Sequence, residues 1–222
     1  MCRLRPPENR LTDKKGEESM THSLHRIGPH LDQEIIFILT PSKGVNSEGA
    51  EEKIKKFLDI IVSHDPVHYG DDRTGNRYTA GYGRITENLE GITNIHAVFN
   101  DFEKAKKALR KIVDADLGLS VVVSGLFDKA EACCRSAGIQ YHSVEHSLGI
   151  WGNKKRLPDN KTLEILTMCG HGLVSANLIQ AMADAVRNKE KSAKKAAEEL
   201  ARLCLCGIFN TERAALILRE LA

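Results

Sequence analysis

Two cysteine–glycine segments hold the most chemically specific residues of the sequence. They are Met168-Cys169-Gly170-His171-Gly172 and Leu203-Cys204-Leu205-Cys206-Gly207-Ile208-Phe209-Asn210. A thiolate is both a nucleophile and a soft metal ligand, and it forms where backbone N–H groups or the positive end of a helix stabilise its charge. Cys169 precedes Val174, Leu178, Met182 and Val186, which recur at helical spacing, so the pattern puts this cysteine at a helix N-terminus. Gly170 and Gly172 would let a ligand approach the backbone closely. Cys204 and Cys206 leave a second helix one residue apart, and Gly207 permits the sharp turn that points both into one space.

Converging thiolates reward soft ions. The expectation is therefore a cytosolic iron–sulfur-cluster or thiolate-metal redox protein in which Cys169, Cys204 and Cys206 ligate the metal. Gly170, His171, Gly172 and Gly207 would shape the cofactor pocket. Zinc is the alternative occupant, and His171, Cys133 or Cys134 supplies the nearest fourth ligand. An electron-transfer partner or an anionic small molecule follows as the expected binding partner. The opposing reading is a non-redox binding protein, because free cysteine packs as a small hydrophobe. Cys133 and Cys134 share a helix with Ala130 and Ala137, and Cys204 continues an apolar face from Leu200.

Two further patterns compete for chemistry. His142-Ser143-Val144-Glu145-His146 matches H-x-x-E-H, which on a helix would let two histidines share zinc while Glu145 serves as base of a hydrolase. Its flanks favour a strand, which would hold the histidines about 13 Å apart. Residues 64–90 form a polar stretch in which Arg73, Arg77 and Arg84 could grip an acidic ligand; Pro66 lies between His64 and His68 and denies them a shared helix face. Neither a Walker loop, a G-x-G-x-x-G fingerprint nor a G-x-S-x-G elbow occurs.

These residues need a scaffold, and composition bounds it. The chain has 222 residues, 32 Lys plus Arg against 30 Asp plus Glu, and a net charge of +2. That balance lacks the basic field of a nucleic-acid binder, and no apolar run approaches the roughly 20 residues that cross a bilayer. Residues 1–33 read as a polar tail without a secretory pattern, giving a cytoplasmic default address and reduced cysteines. Residues 34–157 read as an α/β domain with a mixed sheet of three or four strand–helix units, and 158–222 as a packed C-terminal module. Strands are expected at 34–40, 92–99, 117–123, 139–151 and 163–168, with some parallel pairing. Helices are expected at about 48–63, from Asn100, from Ser124, after Gly172, at Ser192–Cys204, and from Asn210.

Overall fold

Ile35 to Leu39 is an unbroken apolar run, and such a strand must be covered on both faces. It forms the inner part of β1 (Ile35–Thr40) in a computed structural model that describes residues 26–145 and 149–222. The chain continues through α1 (Glu51–Ser63), β2 (His68–Asp71), β3 (Gly75–Asn76), α2 (Gly81–Glu87), β4 (Ile95–Phe99), α3 (Phe102–Asp114), β5 (Ser120–Ser124) and α4 (Phe127–Ser136). Four helices complete it: α5 (Asn160–Thr167), α6 (Ala176–Arg187), α7 (Ala193–Leu203) and α8 (Thr211–Leu221).

The strands lie in the order β3-β2-β4-β1-β5. Every neighbouring pair is antiparallel, which corrects the expectation of some parallel pairing. The physical reason is interleaving. β1 and β2 run the same way but β4 lies between them, and β4 and β5 run the same way with β1 between them. Each crossover is thus a split β-α-β unit. The α/β class and the C-terminal helical module stand as the sequence indicated.

The period-2 alternation of β1 sorts its side chains into two cores. Ile35, Phe37 and Leu39, with Ala97 and Phe99, meet Ile54, Phe57 and Leu58 of α1, Leu109 and Ile112 of α3, and Cys133 of α4. Ile36, Ile38 and Val98 face the opposite layer, where Ile165, Ile179, Leu200, Phe209 and Ile217 come from α5 to α8 and their connections. Each such fully buried side chain contributes about 1.5–3 kcal/mol over an exposed one. Sheet and two helical layers therefore form a three-layer stack.

Helix starts are set by side-chain caps. Asp101 accepts from the N–H groups of Glu103 and Lys104, Ser175 from Leu178, Ser192 from Lys195, and Asn210 from Arg213. Residues 163–168, expected as a strand, instead lie in α5 and its end. Asp159 accepts from Lys161 and Thr162 there and makes a helix the better local choice. The stretch 139–151 forms no strand among its described residues, and the polar 64–90 stretch holds the β2–β3 hairpin and α2. Arg26, from the stretch read as a tail, is buried in the interior.

Candidate functional site

The loop between α5 and α6 and the turn after α7 come together on the sheet face that carries Ile38 and His96. There the thiols of Cys169, Cys204 and Cys206 meet. Cys204 Sγ lies 4.0 Å from Cys206 Sγ and shares a hydrogen bond with Cys169. Cys206 Sγ lies 3.8 Å from Nδ1 of His171. Cys204 is thus the middle member of a buried trio of free thiols, with His171 at one end.

Four local features hold this arrangement. Gly207 has a φ of +75°, and a Cβ there would overlap the backbone of Tyr69 and Gly70, so the turn sits directly on β2. Asn76 donates from Nδ2 to the carbonyls of Ala201 at 3.1 Å and Cys204 at 3.0 Å. His68 on β2 donates from Nδ1 to the Phe209 carbonyl at 2.8 Å. Arg26 donates from Nη2 to the carbonyls of Met168, at 2.9 Å, and Ile208, so one guanidinium ties together the two cysteine segments.

The charge of Arg26 is answered by Glu34, whose carboxylate accepts from Arg26 Nη1 at 2.6 Å, Arg213 Nη1 at 2.9 Å and Asn210 Nδ2 at 2.8 Å. Arg213 in turn donates to Glu164 at 2.7 and 3.0 Å. Burial pushes the Glu34 carboxyl upward, but the two guanidiniums and the Asn210 bond outweigh it and hold the group below its usual range. Two arginines and two glutamates so form a neutral buried network beneath the thiols.

Hydrogen bonding divides the trio. Donation from Cys204 lowers the pKa of Cys169 against the opposing effect of burial, and the N–H groups of Leu173, His171 and Val174 assist. Cys206 is lowered by the same Cys204 donor, again against burial, with help from the Ile208 N–H and the nearby His171. Cys204 is driven far up by those two hydrogen bonds and by burial, and so stays a protonated donor. These directions favour thiolate character on the two outer sulfurs, which compete for the single S–H of Cys204.

Cys206 and His171 open onto a cavity of about 390 Å³ beyond the carboxyl ends of β1 and β2. Thr40, Asp72, Asn94, His96 and Gly170 contribute polar or backbone surface, while Ile38, Val122 and Ile208 give apolar wall. Thr40, Asp72 and His171 are exposed at its rim.

Of the residues singled out in the sequence, Cys169, Cys204, Cys206, His171 and Gly170 are brought together. Gly172, at φ +67°, donates its N–H to the Cys169 carbonyl at 3.1 Å, and Gly207 sits against β2; both shape the turns behind the cavity. Cys169 lies in a loop well before α6, so its thiolate is served by loop N–H groups and not by a helix N-terminus. Cys133 and Cys134 pack in the opposite layer on α4, which removes them as fourth ligands; burial drives Cys133 up to about 12.

The other candidate patterns do not assemble. His142 and Glu145 are exposed on irregular backbone, away from the helix the H-x-x-E-H reading needs, and His146 lies outside the described residues. Arg73 pairs with Glu90, whereas Arg77 caps the Pro66 and Val67 carbonyls and lies over the Tyr69 and Tyr78 rings.

The sequence reading missed Arg26, Asn76, Asn94 and His96. His96 was findable as a polar residue on the inward register of an apolar strand, and Arg26 had no local signal. Among the described residues, no group of three or more His, Cys, Asp or Glu side chains is arranged to hold a metal ion. No helix among them is long and apolar enough to cross a membrane. No protein-family model, curated protein or solved structure matches the chain.

Proposed function

We propose that this chain is a thiol–disulfide redox protein, with Cys206 as the thiolate that meets substrate, Cys204 as the resolving thiol and Cys169 as its base. The observation that carries the reading is the contiguous run Cys169–Cys204–Cys206–His171, of which Cys206 and His171 line a cavity. Cys206 thiolate attacks one sulfur of a small disulfide, RSSR, and expels RS⁻, leaving a Cys206–S–S–R mixed disulfide. Cys204 then passes its proton along its hydrogen bond to Cys169 and attacks Cys206 Sγ. A second RS⁻ leaves and a Cys204–Cys206 disulfide forms. The protein loses two electrons and RSSR gains them; run backwards, the same steps oxidise two thiols. A reducing compartment such as the cytoplasm would keep the trio ready.

A second reading retains the iron–sulfur or zinc site expected from the motifs. The feature that favours it is spacing: a tetrahedral site with Zn–S near 2.3 Å has ligand–ligand edges of about 3.8 Å, close to the 4.0 and 3.8 Å observed. That spacing suits a single ion better than a cluster, whose sulfurs bind separate irons. The absence of any group of three described ligands around a common point makes it the lesser reading.

The test combines both. Reduced protein is treated with 2-hydroxyethyl disulfide and mapped by peptide mass, with metal and acid-labile sulfide measured on an anaerobic sample. The proposal expects a Cys204–Cys206 disulfide in the wild type, a trapped adduct on Cys206 in Cys204→Ser, and slowed resolution in Cys169→Ser. Stoichiometric metal or sulfide lost in Cys206→Ser, with no exchange by the purified form, would replace it with the second reading.

A further inference from the structure

The thiol reading leaves open which disulfides the cavity admits, and the charges around it bear on that. At about 390 Å³ the space lies at the low end for small-ligand pockets, about 300–1,000 Å³, so it suits a small molecule and not a folded partner. Among the described residues, neither Lys nor Arg lines it. Its titratable groups are Asp72, His96, His171 and Cys206. The Asp72 carboxylate accepts a 3.0 Å hydrogen bond from the neutral Asn94 amide. The adjacent Arg73 is held in two bonds by Glu90, at 2.5 and 2.7 Å. Behind the cysteine turns, Arg26 is balanced by Glu34. An exposed carboxylate on the rim and the Cys206 sulfur on the wall therefore face the ligand beside two histidines, with no Lys or Arg to offset them.

We propose that this cavity selects small disulfides that carry a cationic amine, the Asp72 carboxylate receiving the ammonium group while the disulfide sulfur reaches Cys206. The proposal rests on the thiol–disulfide reading and adds a substrate class to it. An anionic disulfide meets like charge at both positions, and a neutral one falls between.

The experiment uses Cys204→Ser in the full chain, which stops the reaction at the Cys206 adduct while a hydroxyl still donates toward the neighbouring sulfurs. Second-order rates at pH 8 are measured with cystamine, 2-hydroxyethyl disulfide and dithiodiglycolate. Each is divided by the rate of 2-mercaptoethanol with the same disulfide, which removes intrinsic reactivity. Cystamine is expected to exceed dithiodiglycolate by about tenfold or more at low ionic strength, and the ratio is expected to fall below about threefold in 0.5 M salt and in Asp72→Asn. A ratio within about twofold of unity overturns the charge selectivity, as does a large ratio that Asp72→Asn leaves unchanged. Failure of the neutral disulfide to modify Cys206 overturns the underlying thiol reading instead.

Discussion

Acidification should unload a specific amount of stability through His68. This residue sits on β2, its Nδ1–H on the Phe209 carbonyl and its ring 5.0 Å from that of Tyr78. Burial is the main cause that brings its pKa from 6.5 to about 4, so the native imidazole is neutral. In the unfolded chain it takes up a proton near pH 6.5. Between those two values the unfolded state holds more protons than the native state, so stability rises with pH across the window. The contribution is complete above about pH 6.5 and is lost progressively as pH falls toward about 4. At about 1.4 kcal/mol per pH unit, the loss reaches about 2 kcal/mol by pH 5. Urea unfolding at pH 7.5 and pH 5, for wild type and His68→Asn, isolates it. The Asn amide can still donate toward Phe209, and every other titrating group is common to both proteins. With m of about 1–3 kcal/mol/M, the wild-type midpoint should fall about 1 M further than that of the variant. If both lose the same stability within about 0.5 kcal/mol, the buried neutral imidazole is refuted.

Three other outcomes are expected. Glu34→Gln leaves two buried guanidiniums short of a counter-charge and should cost about 3–5 kcal/mol, read as a fall in Tm of about 6–20 °C. Iodoacetamide labelling of Cys206 in Cys204→Ala should have a higher pH midpoint than in the wild type, because the donor that lowers Cys206 is gone; the buried Cys133, pushed up to about 12, should stay unlabelled in both until the protein unfolds. Gly207→Ala must accommodate a Cβ against the Tyr69 and Gly70 backbone at a positive φ, so it should lower the urea midpoint and slow Cys206 labelling together.

Much of the scaffold could be read from local pattern. β1 follows from five apolar residues bounded by Pro41, and α7 and α8 from their helical periodicity and their Ser192 and Asn210 caps. That the two cysteine segments meet was not legible, since their glycines permit tight turns but do not say what those turns pack against. Strand order was not legible, since a strand–helix–strand pattern is the same whether the two strands pair directly or admit a third between them. The helix at 160–167 was missed because the short run Leu163 to Met168 is apolar enough for a buried strand, and the deciding feature, the Asp159 cap, lies outside that run. The charged interior was hidden for another reason. Arg26 with Glu34, Glu164 and Arg213 come from three distant stretches of sequence, and each alone looks like a surface residue.

The three-layer stack also sets an order of assembly. Residues 35–136 contain the whole sheet and the helices that cover one face, whereas the other face is covered by segments made later, between 160 and 221. During synthesis, the face carrying Ile36, Ile38 and Val98 stays bare until that second layer arrives, and Glu34 waits with it for Arg213. Until then Cys169, Cys204 and Cys206 are ordinary thiols without their shared proton or their loop N–H groups. The thiol chemistry proposed above would thus be withheld from a partly made chain and arrive with the docking step that closes the core.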